Sequence, residues 1–148
     1  MVTIDPALLS GGAIVALLVV SAFFSSAEIA VFSLTPEWID ERAAGGDDRA
    51  GVLSRLRANP HRLLVTLLVG NNVVNVAISS ITTVLLIRFL PDGAAVTVAT
   101  VAAASLVLIF GEILPKSYGL GHADEWALRV ARPIALIERI LYPLVAVF

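Results

Sequence analysis

LLVTLLVGNNVVNVAISSITTVLLI, residues 63–87, decides how this chain folds. It runs 25 residues without Asp, Glu, Lys or Arg, and a helix needs about 20 apolar residues to cross a hydrocarbon core. Its two ends, Leu63–Leu68 and Val84–Ile87, are strongly apolar, so the segment reads as a span. Two other stretches are equally free of charge, Pro6 to Ala27 (22 residues) and Gly93 to Gly111 (19 residues). The chain as a whole is 58% apolar and only 15% charged, where soluble domains carry about a quarter charged residues. The fold class is therefore an all-α membrane protein with three transmembrane helices, expected at about 6–33, 60–89 and 94–115.

The middle of the deciding stretch is not apolar. Next to Gly70, Asn71, Asn72 and Asn75 fall 8 to 12 residues into the span, roughly 12 to 18 Å deep at 1.5 Å per residue. Asn71 and Asn75 are one turn apart and share a face, with Asn72 beside them. An interhelical hydrogen-bond clamp explains one such Asn. Three within five residues, next to a glycine, suit a ligand cluster better.

Working outward, the first span carries Ser21, Ser25 and Glu28 at spacings of four and three, on one helical face. Two serines alone would read as back-bonding or small-residue packing. Glu28 on the same stripe, with Ser26 adjacent, turns the reading toward a polar cavity. The third span ends in Phe110-Gly111-Glu112-Ile113-Leu114-Pro115-Lys116. A carboxylate near hydrocarbon is costly and is by default a functional candidate. Pro115 lacks an N–H and clashes with the carbonyl four residues back, that of Gly111, so the helix is expected to open there. A bare carbonyl beside Glu112 would then form a cation-binding pair. The competing reading is a helix end in water, with Glu112 beside Lys116.

Between and after the spans the pattern changes. Thr35-Pro36-Glu37 and Asn59-Pro60 are helix starts, and juxtamembrane helices are expected at about 36–44, 48–57 and 125–148. The last, amphipathic through Ile134, Ile137, Leu141, Leu144 and Phe148, is capped by Asp124 and broken in two by Pro133 on this reading. Nine of the ten basic residues lie in the first loop or after the third span. The positive-inside rule makes that side cytoplasmic and the N-terminus external. Asp5, in place of a basic residue before the first apolar run, argues for a retained span rather than a cleaved signal. The apolar end at Phe148 suggests a longer natural protein. A net charge of −2 gives no reason to expect nucleic acid, and the lack of cysteine rules out disulfides and thiolate metal sites. No Ser–His, paired-Asp or His-Glu-x-x-His arrangement lies within the spans, so no enzyme is expected. His61 and His122 fall outside the spans.

The three polar inserts sit at compatible depths and offer hard oxygen donors, suited to Mg²⁺, Ca²⁺ or Na⁺. "SAFFSSAEIAVFSL", "LLVTLLVGNNVVNVAISS" and "FGEILPKS" together resemble the transmembrane domain of the CNNM/CorC magnesium transporters. The resemblance implies a homodimer exporting Mg²⁺, with Na⁺ coupling proposed for the family, in the cell membrane. It also implies a cytoplasmic CBS-domain pair beyond this chain. The implied metal positions are Ser21, Ser25, Asn71, Asn72, Gly111 and Glu112, with Ser26, Glu28, Gly70, Asn75, Pro115 and Lys116 as additional or supporting residues. The alternative is a non-transporting membrane anchor or ion sensor for cytoplasmic regulatory domains.

Overall fold

The computed structural model describes residues 2–148, all of its regular structure helical. The first helix, α1 (Pro6–Ser33), is 28 residues long, roughly 42 Å at 1.5 Å per residue. Asp5 starts it by accepting from the Ala7 N–H at 2.9 Å, and Pro6 takes the first position, where a missing N–H costs nothing. At its other end, Arg57 Nη1 donates to the carbonyls of Val31 (2.6 Å) and Leu34 (2.9 Å). Those carbonyls belong to the terminal turn, which has no partners of its own.

Two short helices follow, α2 (Pro36–Ala44) and α3 (Asp48–Arg57). The side chains of Thr35 and Asp47 cap them, and Gly46 at φ 94° makes the reversal between them. The second long helix, α4 (Pro60–Ile87), opens on the Asn59 side chain, which accepts from the Arg62 N–H at 3.1 Å. It returns alongside α1.

The third apolar segment departs from expectation. It does not break at Pro115 but runs as one helix over Asp92–Gly121. Within it, α5 (Asp92–Leu106) passes into a π-helical segment, Val107–Ile113, and then into α6 (Leu114–Gly121). The Leu114 N–H reaches back five residues to the Ile109 carbonyl. This wider turn inserts an extra residue ahead of the proline, so the helix accommodates the ring without ending.

The last helix, α7 (Ala123–Val145), also runs unbroken, through both Pro133 and Pro143. Its packed face offsets the bonds that the prolines remove: Ala127, Leu128, Val130, Ala131 and Ile134 are all buried. Asp124 is not its cap. The helix begins one residue earlier, and Asp124 accepts from the next N–H, that of Glu125, at 3.0 Å.

α1 is the axis of the fold, packed by α4, the π segment, α6 and α7. Below it, α2, α3 and α7 form a second layer around Ile39, Leu53, Leu56 and Ile134. Three helices are long and apolar enough to cross a membrane. Their outer faces expose Val15, Val19, Val73, Val76, Val96 and Val101, a surface that lipid rather than water satisfies.

Candidate ion-binding site at the crossing of three helices

Ser21 lies at the middle of α1 and is fully buried. Its Oγ is 2.8 Å from Asn75 Oδ1 and 3.2 Å from Asn71 Oδ1. A hydroxyl has one proton to donate, so two amide oxygens compete for it and three oxygens converge on one point. The i, i+4 spacing that put both asparagines on one face of α4 is what makes the convergence possible.

The π segment closes the junction. A Cβ on Gly111 would lie 2.7 Å from Ser21 Oγ, so only a bare backbone fits against that hydroxyl. Gly70 has a different role. A Cβ there would stand 2.5 Å from the Phe24 ring, so Gly70 seats an aromatic side chain between α1 and α4.

One turn along α1, Ser25 is also fully buried, and its Oγ has no hydrogen-bond partner among the described residues. Leaving a buried hydroxyl unpaired costs about 1–3 kcal/mol. Ser26 is committed elsewhere. It donates to the Phe23 carbonyl at 3.1 Å and accepts from Trp126 Nε1 at 2.9 Å, tying α7 to α1.

Glu112 is half-buried and faces a groove of about 550 Å³ between α4 and α5, lined also by Asn72, Asn75, Ser79 and Ser80. Asn72 is exposed in this groove rather than packed at the Ser21 junction. Asn75 belongs to both places, bonding Ser21 on one side and lining the groove on the other. Lys116 does not pair with Glu112; its Nζ stands 4.0 Å from Glu28 Oε2. That pair bridges α6 to α1 and leaves Glu112 as the carboxylate facing the groove. Pro115 is buried at the start of α6.

Among the described residues no three His, Cys, Asp or Glu side chains cluster as a metal site. The oxygen-rich junction is therefore built mostly of neutral donors. His122 is exposed, stacked on Tyr118 at 4.3 Å, and His61 is also exposed. Sequence reasoning passed over Trp126, Gly119, Ser79 and Ser80. A Cβ on Gly119 would collide with the Ser26 carbonyl and the Ile29 side chain, so this glycine lets α6 lie against α1. The Ser-Ser pair was the visible signal for the groove; nothing local marked Trp126.

Comparison with known proteins agrees with this architecture. The chain is 38% identical over 127 residues to a chloroplastic DUF21 domain-containing protein of Arabidopsis thaliana, covering 86% of this chain and 19% of that protein. It is 34% identical over 128 residues to a UPF0053 protein of Haemophilus influenzae, covering 86% and 30%. It is 31% identical over 126 residues to a UPF0053 inner membrane protein of Escherichia coli, covering 85% and 29%. The chain thus spans between 19% and 38% of the length of the curated relatives it matches. Residues 12–148, containing most of α1, the other two apolar helices, the π segment and α7, match the Cyclin M transmembrane N-terminal domain, so this multi-pass membrane protein belongs to the CNNM family.

Proposed function

We propose that the chain transports divalent cations across the membrane, with Mg²⁺ as the main substrate, and acts by binding and release rather than as an enzyme. One observation carries the reading: Ser21, Asn71 and Asn75 aim three oxygens at one buried point against the bare Gly111 backbone. A single hydroxyl proton satisfies one amide oxygen at a time, whereas a cation satisfies all of them. Hard oxygen donors suit Mg²⁺ or Na⁺. Ser25, buried and unpartnered, supplies a further hydroxyl within one turn. Asn75 links this point to Glu112 and the groove, which we assign as the route by which the ion reaches it. Few carboxylates and many neutral donors favour binding weak enough to reverse, as transport requires.

By resemblance, the direction is efflux, with Na⁺ exchanged inward. The nine-to-one distribution of basic residues supports an external N-terminus and a cytoplasmic α2–α3–α7 layer. The homodimer of the family is carried over by resemblance. The much greater length of the relatives leaves room for a cytoplasmic CBS-domain pair as the regulatory partner.

Mg²⁺ flux from proteoliposomes, read with an entrapped dye, tests the reading. The parent chain should pass Mg²⁺, and Glu112→Gln should lower flux roughly 10–100-fold, the range for losing a group that supports a metal site. The same change should weaken Na⁺ binding less, because it removes charge but keeps an oxygen. Stabilisation by Mg²⁺ without any flux would instead make the domain an ion-sensing anchor. An external thiol reagent should label Asp92→Cys and miss Asp47→Cys; the reverse would invert the topology.

A further inference from the structure

Away from the ion site, the interfacial layer holds a concentration of positive charge that the protein does not neutralise. Arg55 from α3, Arg62 from the first turn of α4, and Arg132 and Arg139 from α7 line one half-open groove of about 500 Å³. Arg62 is paired, its Nη2 standing 3.0 Å from Glu138 Oε1 and its guanidinium 4.6 Å over the Tyr142 ring. Among the described residues, Arg55, Arg132 and Arg139 take part in no ion pair, and all three are exposed. Asp47 and Asp48, which line the adjoining hollow with Arg55 and Arg132, do not pair with them either. Asp47 is taken by Arg49 at 3.4 Å.

The position of this groove is as informative as its charge. Arg62 immediately precedes the charge-free stretch that begins at Leu63, so the groove lies where hydrocarbon gives way to headgroups. Its other wall is apolar and open: Leu136 and Tyr142 line it while remaining 57% and 51% exposed. Ile140 and Leu144 extend that exposed apolar surface along α7, at 66% and 48%. Three unmatched guanidinia beside an exposed aliphatic strip, at the membrane interface, match the two ends of a lipid.

We propose that this groove binds the headgroup phosphate of an anionic phospholipid, whose acyl chains lie against the Leu136–Ile140–Leu144 strip. Guanidinium groups present paired donors matched to phosphate oxygens, and basic pockets at this depth are suited to lipid headgroups. The preference for an anionic lipid follows from the groove's surplus of three positive charges. A choline headgroup would add a fourth cation beside them, while a glycerol headgroup leaves the phosphate charge unopposed. The inference is independent of the transport reading and of which leaflet the layer faces.

Native mass spectrometry of the detergent-purified chain, offered phosphatidylglycerol and phosphatidylcholine with identical acyl chains, tests it. The parent should retain phosphatidylglycerol preferentially. R132Q/R139Q should lose that retention roughly 30-fold, taking about fivefold per arginine at an anionic surface. Helix content and melting in phosphatidylcholine should not change, since neither guanidinium has an ion-pair partner among the described residues. R132K/R139K, which keeps the charge, should keep most of the preference. Should the double variant fail to fold, Arg55→Gln alone should show the fivefold loss. Equal retention of the two lipids, or an unchanged preference in R132Q/R139Q, overturns the proposal. Binding of inorganic phosphate or an acidic peptide without any lipid preference overturns the lipid assignment.

Discussion

The two layers of this molecule are built on opposite plans. Around the membrane-crossing part of α1, oxygen is inside and hydrocarbon outside: Ser21, Ser25 and Asn71 are buried while Val15, Val19 and Val73 face outward. In the α2–α3–α7 layer the order reverses, with Ile39, Leu53 and Ile134 inside and Arg55, Arg132 and Arg139 at the surface. The contrast teaches where each layer finds its stability. Burying a leucine against neighbours gains much where the alternative is water and little where the alternative is lipid. The membrane layer must therefore hold by close backbone approach and by hydrogen bonds between helices. The interfacial layer can rely on an ordinary apolar core.

Substitutions that separate these plans should differ in size and in remedy. The largest effect belongs to the interfacial core. Leu53→Ala, at a fully buried site, should cost about 2–5 kcal/mol, read as a lowered melting point in detergent. On the proposed transport reading, Mg²⁺ should still stabilise the fraction that folds. An equal loss from an alanine at lipid-facing Val73 would break the contrast.

Next comes Gly111→Ala, which places a methyl 2.7 Å from Ser21 Oγ and should cost about 1–3 kcal/mol by overpacking. Its remedy is specific. Ser21→Ala removes the colliding oxygen, so the double variant should be less destabilised than the two single changes combined, by about 0.5–3 kcal/mol for residues in contact. Additive losses would show that the close approach is not the source of the effect.

A smaller change tests the tie between the layers. Trp126→Phe keeps an aromatic ring but loses the fused pyrrole, whose N–H reaches Ser26 at 2.9 Å; the lost hydrogen bond costs about 0.5–1.5 kcal/mol. Increased hydrogen exchange should follow in α7 and the lower turns of α1, and exchange confined to α7 would mean the two layers are not coupled there. The smallest effect is expected from Lys116→Met. Its 4.0 Å pair with Glu28 is partly exposed, and such pairs contribute about 0–1 kcal/mol. A greater loss would make the pair part of the membrane layer's hydrogen-bonded interior.

Two of the interior prolines show why helix integrity was harder to read than helix location. Pro115 and Pro133 carry the same local penalty, and both were expected to interrupt their helices. Each helix continues for a reason outside the residue's own neighbourhood. Pro115 follows a π turn whose Gly111 packs on Ser21, and Pro133 lies between buried Ala131 and Ile134. The partner of Lys116 is a similar case. Glu112 is four residues away along the helix, yet Glu28, on another helix, stands nearer its ammonium group.

By itself, the sequence determined the three apolar segments, the caps at Thr35 and Asn59, and the set of oxygen-bearing residues at shared depth. Each of these depends on composition or on spacing within one or two turns, where covalent geometry decides who is whose neighbour. Tertiary structure decided which of those oxygens meet. Asn75 joined Ser21 while Ser26 turned to Trp126 and Asn72 to the groove, because helix rotation and crossing are set by packing between segments far apart in the chain. Gly70, Gly111 and Gly119 carry no side chain to signal their contacts in advance. Their positions against Phe24, Ser21 and Ser26 exist only once the helices have closed on one another.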